Sequence, residues 1–234
     1  MKKLFSIILC LLLFAGNGWA AYENFSTGWT ETDPNSRLSQ TATRSTATGI
    51  NHDENAFLAK NSASFTGDWD FAFDFRIDSS SDTSDYTWTF GLLYLSDGTY
   101  YYGVDTDEAS AGKVRIVLYE PTNYAEDTTT LNEDTVYYAR YRRDESIGTY
   151  GRIYLDIYPT SADRTAGTNV VLQQQVDITS AKRDLNQMFA TGTYDGNDVK
   201  TITFYLENLD LAYVPTPTVN TLLNNCLLNN ALIQ

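Results

Sequence analysis

The segment from Gly67 to Asp78 reads GDWDFAFDFRID, and every second residue within it is large and apolar. The apolar positions are Trp69, Phe71, Phe73, Phe75 and Ile77. Successive side chains of a β-strand point to opposite faces of its sheet, whereas a helix would distribute these five around its circumference. The segment therefore predicts a strand of an antiparallel sheet that has one buried face and one solvent-facing face.

Further segments with strand character follow, and clusters of Gly, Asn, Asp and Ser, which favour turns, separate them. The predicted strands are 37–43, 55–60, 86–95, 100–104, 113–120, 135–143, 151–158, 170–177 and 200–214. The segment 179–189 instead places apolar residues at helical spacing after Thr179 or Ser180, either of which can cap a helix. We therefore predict an all-β antiparallel protein with one short helix.

The first 20 residues have the pattern of a secretion signal. Lys2 and Lys3 precede an apolar run over residues 4–15, and small residues around Ala20 suit cleavage after that residue. The run is too short to span a bilayer comfortably, and no other segment is longer and as apolar. We therefore expect residues 1–20 to be a signal peptide and the mature protein to be secreted, to the periplasm or the extracellular space.

The chain is acidic, which limits the partners that it can have. Its formal charge is −14, and removal of Lys2 and Lys3 with the signal makes it −16. Nucleic acids and anionic membrane surfaces select basic patches, so neither is an expected partner. Cys10 lies in the signal, so the mature chain keeps only Cys226 and cannot form an internal disulfide. The remaining residues suffice for one large β-sandwich or two small domains.

The last 20 residues differ in composition from the rest. Pro215-Thr216-Pro217 introduces a segment in which pairs of Leu and Asn alternate up to Gln234. Asn residues interrupt the apolar run, so it cannot supply the roughly 20 apolar residues that a membrane-spanning helix needs. We expect residues 215–234 to be a linker and tail without a transmembrane segment, and residues 21–214 to fold without them.

Several segments, in this order, resemble exported bacterial domains of the concanavalin A-like lectin/glucanase superfamily, which includes laminin-G-like domains. They are ENFSTGW (23–29), GDWDFAFDFRI (67–77), TVYYARYRRD (135–144), RIYLDIY (152–158) and TFYLENLDL (203–211). The resemblance covers nearly the whole mature chain. It implies a jelly-roll sandwich of two curved antiparallel sheets, usually with a concave side that faces glycans. It does not imply an activity, because one fold supports many functions.

Catalytic patterns of that superfamily are not found in the sequence. Its glucanases carry two Glu residues around an Asp on one strand, since glycoside hydrolysis needs two carboxyls at a fixed separation, and this spacing does not occur here. Its lyases carry Gln-x-His and Tyr-x-Lys-x-Gly strands, which are also absent from the sequence. His52 is the only histidine, and a structural role in a turn is its more ordinary use. The sequence therefore favours a protein that is not an enzyme.

Calcium is the metal that the sequence suits best, because acidic loops supply the hard oxygen ligands that it prefers. The candidate ligands are Asp105 and Asp107 in one connection and Asp195 and Asp198 in another. None of these segments matches an EF-hand loop. In a protein of this charge, acidic loops that simply remain solvated are the alternative.

Aromatic and Arg side chains recur on the polar faces of several predicted strands. We predict that five of them stack on and hydrogen-bond to sugars: Trp88, Tyr119, Tyr138, Arg140 and Tyr154. The alternative is that they stabilise the sheet, since Tyr pairs and Arg–Asp pairs between strands each contribute up to about 1 kcal/mol. The leading hypothesis is an exported module that binds polysaccharide or cell-surface glycan. A glycoside hydrolase or polysaccharide lyase of the same fold, or a structural or adhesive surface protein, remains open.

Overall fold

The computed structural model describes residues 22–51, 54–80, 90–110, 112–193 and 201–214, without the side chains of residues 62–64, 90 and 107–110. The predicted signal peptide, Trp88, Asp195, Asp198 and the tail from Pro215 lie outside these ranges. Within them, no helix has the length and apolar character needed to cross a membrane.

Two antiparallel sheets make up the fold. In spatial order, one consists of β13 (Leu172–Asp177), β12 (Arg152–Tyr158), β11 (Tyr137–Asp144), β5 (Trp69–Ser80), β15 (Thr201–Asp210), β3 (Arg44–Asn51) and β2 (Leu38–Gln40). The other consists of β1 (Thr30–Thr32), β4 (Phe57–Phe65), β14 (Leu185–Thr193), β6 (Phe90–Ser96), β7 (Tyr101–Ser110), β8 (Lys113–Glu120) and β10 (Leu131–Asn132), with β9 (Asn123–Glu126) also paired to β8. We call them the seven-stranded and the eight-stranded sheet. The predicted β-sandwich is confirmed.

The core lies between the two sheets, and β5 is the middle strand of the seven-stranded one. Its five predicted apolar residues are all buried, and Trp69 stacks on Phe71 with ring centroids 4.6 Å apart. Ile153, Leu155 and Ile157 of β12 are also fully buried, as the alternation predicts. The polar residues between them therefore form the outer face of this sheet.

The predicted helix at 179–189 is wrong. Residues 185–193 form β14, which pairs with β4 on one side and β6 on the other. A register shift between Leu185 and Gln187 brings Leu185 and Met188, three residues apart, onto the same buried face. A bulge can therefore imitate the spacing of a helix.

The single helix of the described chain, α1, is Ser161–Ala166, directly after β12. The hydroxyl of Thr160 caps it by accepting a hydrogen bond from the Asp163 amide at 3.1 Å. Gly167 ends it with a φ of 65°, a conformation that glycine adopts without strain. The helix packs against β11 and β12 on the outer face of the seven-stranded sheet.

Candidate functional site

A line of aromatic residues crosses the outer face of the eight-stranded sheet. The strand register pairs Phe189 with Tyr94, Tyr94 with Gly103, Gly103 with Tyr119, and Tyr119 with Tyr124. Residues paired in register lie on the same face of a sheet. Their chain neighbours belong to the core, among them Met188, Leu95, Val104 and Leu118, so the four aromatic side chains point outward. We call these four, with Gly103 between them, the aromatic row.

The row runs perpendicular to the strands and covers five of them. At a strand spacing of roughly 4.8 Å, its length from Phe189 to Tyr124 is about 19 Å. Tyr101 and Phe57 widen it, because the ring of Phe189 lies 6.0 Å from that of Tyr101 and 5.5 Å from that of Phe57. Tyr101 is 40% exposed and Tyr124 is 50% exposed. Phe189, Tyr94 and Tyr119 are half-buried, so the row is an aromatic surface that is most accessible at its Tyr124 end and at Tyr101.

Two glycines hold Tyr94 in the middle of the row. A Cβ added to Gly91 would lie 2.1 Å from one edge of the Tyr94 ring, and a Cβ added to Gly103 would lie 2.2 Å from the other. Real Cβ atoms do not approach other atoms so closely, so the ring fills space that side chains at both positions would need. The Tyr94 ring can therefore occupy this position only because residues 91 and 103 are glycines.

Asp105 anchors the hydroxyl of Tyr94. Its carboxylate accepts a hydrogen bond from that hydroxyl, and Asp105 is only 4% exposed. Burial, followed by the charge of Asp105 and this hydrogen bond, raises the pKa of Tyr94 well above its ordinary value. Tyr94 therefore keeps its proton at neutral pH and acts as a hydrogen-bond donor.

The structure corrects the prediction that Asp105 and Asp107 belong to a loop, because both lie in β7. Asp105 is buried beside Tyr94, and the side chain of Asp107 lies outside the described residues, as do Asp195 and Asp198. Within the described part of the chain, no three His, Cys, Asp or Glu side chains are grouped as metal ligands. Calcium binding stays a prediction.

Polar groups border the aromatic row on both sides. Gln187 and Asn61, neighbours in register on β14 and β4, lie one step from Phe189 on the same face. On the other side, Arg115 of β8 forms an ion pair with Glu126 of β9 at 2.9 Å. These groups can hydrogen-bond to a ligand that contacts the rings.

The five residues predicted to bind sugar do not form one site. Tyr119 belongs to the aromatic row, whereas Tyr138, Arg140 and Tyr154 lie on the outer face of the seven-stranded sheet, on the opposite side of the sandwich. Trp88 lies outside the described residues. Sequence reasoning missed Phe189, Tyr94 and Tyr124, although the glycines in two aromatic strands were a signal that could have indicated a flat surface.

Contacts within the protein occupy the residues on the seven-stranded side. The guanidinium of Arg140 donates to both carboxylate oxygens of Asp70, with Nε at 3.0 Å from each, and Arg142 stacks on the ring of Tyr154 at 4.1 Å. Arg164 of α1 lies 5.6 Å from the centroid of the Tyr138 ring. These contacts agree with the sheet-stabilising alternative for this face.

A depression of about 330 Å³ on this side is lined by the same ion pairs. Its walls are Asp68, Trp69, Asp70, Arg140, Arg142, Arg143 and Asp144. Asp68 accepts a hydrogen bond from the amide of Glu145, and Asp144 accepts one from the amide of Ser146. Its carboxylates therefore already have partners, and the aromatic row is the better candidate.

Comparison with known proteins establishes the fold and no more. No protein-family model matches the chain, and no curated protein does. The structure of alginate lyase Aly36B is similar, with a TM-score of 0.52 and 14% identity over 87% of this chain and 96% of that one. A mutant of that enzyme in complex with an alginate trisaccharide gives 0.51 and 13%, over 85% and 95%. The alginate lyase from Aplysia kurodai gives 0.48 and 10%, over 84% and 89%.

Proposed function

We propose that this protein is an exported module that binds polysaccharide or cell-surface glycan across the outer face of its eight-stranded sheet. The aromatic row is the observation that carries this proposal. Binding sites for organic ligands combine aromatic surface with a few polar groups that fix orientation. Here the C–H faces of sugars would stack on the rings, and the polar groups beside the row would hydrogen-bond to the hydroxyls.

The shape of the row suits a chain-like ligand. Its rings follow one another for about 19 Å across the strands, so an extended glycan that lies along the row meets Tyr124, Tyr119, Tyr94 and Phe189 in turn. A monosaccharide would use only one or two of these rings. Rigid rings also lose little conformational entropy on binding, which favours Tyr in recognition surfaces.

The fold likeness supports a role with carbohydrate. The similar lyase Aly36B is known in complex with alginate oligosaccharides, and its likeness covers most of both chains. Membership of the concanavalin A-like superfamily, secretion after cleavage of residues 1–20, and calcium dependence belong to the same proposal.

Affinity electrophoresis in gels that contain single polysaccharides tests the proposal. We expect retardation of the protein by at least one polysaccharide, and loss of about tenfold in affinity for Tyr119→Ala and for Tyr124→Ala, because each removes a stacking ring. Tyr154→Ala, on the opposite sheet, is the matched control and should bind like the wild type. Parallel gels with calcium and with a chelator test the metal.

If no bacterial, algal or plant polysaccharide retards the protein, the proposal is wrong. If Tyr154→Ala weakens binding and Tyr119→Ala does not, the ligand lies on the seven-stranded side, and the aromatic row is not the site.

A polysaccharide lyase is the second candidate, and the likeness to Aly36B favours it. Elimination from a uronate needs a cation near the carboxylate and groups that take and give a proton. Arg115, Tyr94 and Tyr119 share the face of the aromatic row. Incubation with alginate and pectic acid, monitored by ultraviolet absorbance of the new double bond, would reveal this activity.

Hydrolysis has less support from the geometry. Asp105 and Glu126 both lie on the face of the row, two strands and thus about 10 Å apart. However, Asp105 is buried under Tyr94, and Glu126 is paired with Arg115. Neither carboxyl is placed to act as the acid or the nucleophile that a glycosidase requires.

A further inference from the structure

We propose that the aromatic row selects an uncharged glycan and discriminates against polyuronates such as alginate. This inference rests on the proposed function and specifies its ligand class. The charges that surround the rings carry it.

Among the side chains that the structure describes, the carboxylate nearest to the centre of the row is that of Asp105. It lies two residues from Gly103 on the same face of β7 and bonds to Tyr94. Being only 4% exposed, it has little water around it to screen its charge. Charges interact more strongly where water is excluded, so Asp105 repels an anionic group that approaches the rings.

The cations on this face do not offset that repulsion. Arg115 lies closer to Asp105 than Lys113 does, two residues along the same face of β8 from Val117, the register partner of Asp105. It is paired with Glu126 at 2.9 Å, and their side chains are only 12% and 19% exposed, so Glu126 already offsets its charge. Lys113 lies four residues along β8 from Val117, the register partner of Asp105, which is about 13 Å along the strand. Lys113 also donates a hydrogen bond to Asn132. A uronate at the centre of the row would therefore meet Asp105 without a nearby uncompensated cation among the described residues.

The polar groups beside Phe189 are neutral. Asn61 and Gln187 each offer an amide N–H₂ and a carbonyl oxygen, which match the donor and acceptor of a sugar hydroxyl. Carboxylate recognition instead uses charge-assisted donors, above all the guanidinium fork. The formal charge of −14 on the whole chain acts in the same direction.

The test compares neutral and anionic polysaccharides on the same protein. Laminarin and xylan are the neutral probes, and alginate and polygalacturonate are the anionic ones, each in affinity gels at low salt and at about 0.5 M salt, where screening is strong. We expect at least one neutral probe to retard the protein, and salt should hardly change this retardation. Affinity for the anionic probes should be at least about tenfold weaker. Asp105→Asn should raise retention by alginate.

Asp177→Asn is the matched control. It makes the same change in net charge on the seven-stranded sheet, where Asp177 pairs with Arg152, and it should leave the preference unchanged. If alginate binds better than the neutral probes, and Tyr119→Ala loses that binding, the inference is wrong and the proposed function stands. If Asp105→Asn and Asp177→Asn raise alginate retention equally, the inference is also wrong, since the net charge of the protein alone would then determine its preference. Retention by none of these probes, and by none of the other bacterial, algal and plant polysaccharides, would overturn the proposed function and the inference together.

Discussion

A Cβ atom on Gly103 would lie 2.2 Å from Cδ1 of Tyr94, so the tyrosine ring occupies the place of a side chain on the neighbouring strand. Tyr94 and Gly103 are partners in the register of β6 and β7. The ring is therefore part of the sheet surface and not a mobile side chain above it. It gives the aromatic row a fixed centre.

Gly103→Ala should displace the Tyr94 ring. The added methyl group cannot fit beside it, and overpacking of this kind costs roughly 1–3 kcal/mol in the free energy of unfolding. Urea unfolding measures this cost, and affinity electrophoresis should show weaker glycan binding. The Tyr94→Ala and Gly103→Ala double variant is the control: its stability loss should be smaller than the sum of the single losses, because the clash has been removed. Additive losses would show that the two residues do not compete for space.

Arg164→Met should strongly destabilise the protein. Nη1 of Arg164 donates to the Asp74 carboxylate at 2.8 Å and to the carbonyl oxygen of Phe73 at 2.9 Å, and both charged residues are buried. Removal of one partner leaves a buried carboxylate without its cation, which costs about 3–5 kcal/mol. Arg152→Met, which breaks the solvent-exposed pair with Asp177, should cost about 1 kcal/mol or less. Similar losses in the two variants would contradict the prediction.

The same variant should respond to pH in a defined direction. Burial already raises the pKa of Asp74, and the charge and hydrogen bonds of Arg164 and Asn208 oppose this effect. Without Arg164 the folded-state pKa rises further above the unfolded one, so protonation favours the folded state. The stability deficit of Arg164→Met should therefore shrink as pH falls through that folded-state pKa. Urea unfolding at several pH values measures it, and a deficit that grows on acidification would contradict the explanation.

Asp97→Asn tests a carboxyl whose pKa is lowered in the folded state, the opposite of Asp74. Burial alone would raise the pKa of Asp97, but the amides of Tyr100 and Thr99 and the guanidinium of Arg183 outweigh it and lower that pKa. A carboxyl with a lowered folded-state pKa stabilises the fold at neutral pH and loses this contribution as pH falls through that pKa. The variant should be less stable than the wild type at pH 7. The difference should begin to shrink as pH falls below the ordinary value of 3.8 and should vanish below the lowered folded-state pKa. Thermal unfolding across pH measures the gap; a constant gap would refute the prediction.

Tyr141→Phe should not weaken the core. Tyr141 is completely buried, and its hydroxyl has no hydrogen-bond partner among the described residues. Loss of an unsatisfied buried hydroxyl should leave the free energy of unfolding unchanged or raise it by about 1 kcal/mol. Tyr137→Phe is the matched control, because the Tyr137 hydroxyl accepts a hydrogen bond from the amide of Asn132 at 3.0 Å; it should lose about 1 kcal/mol. Denaturant midpoints of the two variants give the comparison.

Local patterns predicted the strands well wherever one face is apolar and the other polar. Strand β8 was predicted with the bounds that the structure has, and the buried positions of β5 and β12 follow the predicted alternation. Strand β3, which is rich in small and polar residues, and β14, which carries a bulge, were missed. In β6 a register shift after Gly91 puts both Leu92 and Leu93 in the core, which a strict alternation cannot anticipate.

The sequence by itself determined that this chain forms an antiparallel sandwich, because alternation of side chains is a property of neighbouring residues and needs no knowledge of the partner strand. Only the tertiary structure decided which outward-facing aromatic residues meet. Phe189 and Tyr94 are far apart in the chain and become neighbours through the pairing of β14 with β6. Tyr119 and Tyr138 are close in sequence but lie on opposite sides of the sandwich, because β8 and β11 belong to different sheets. Strand order and register depend on the free energy of packing the whole core, and they placed the aromatic row.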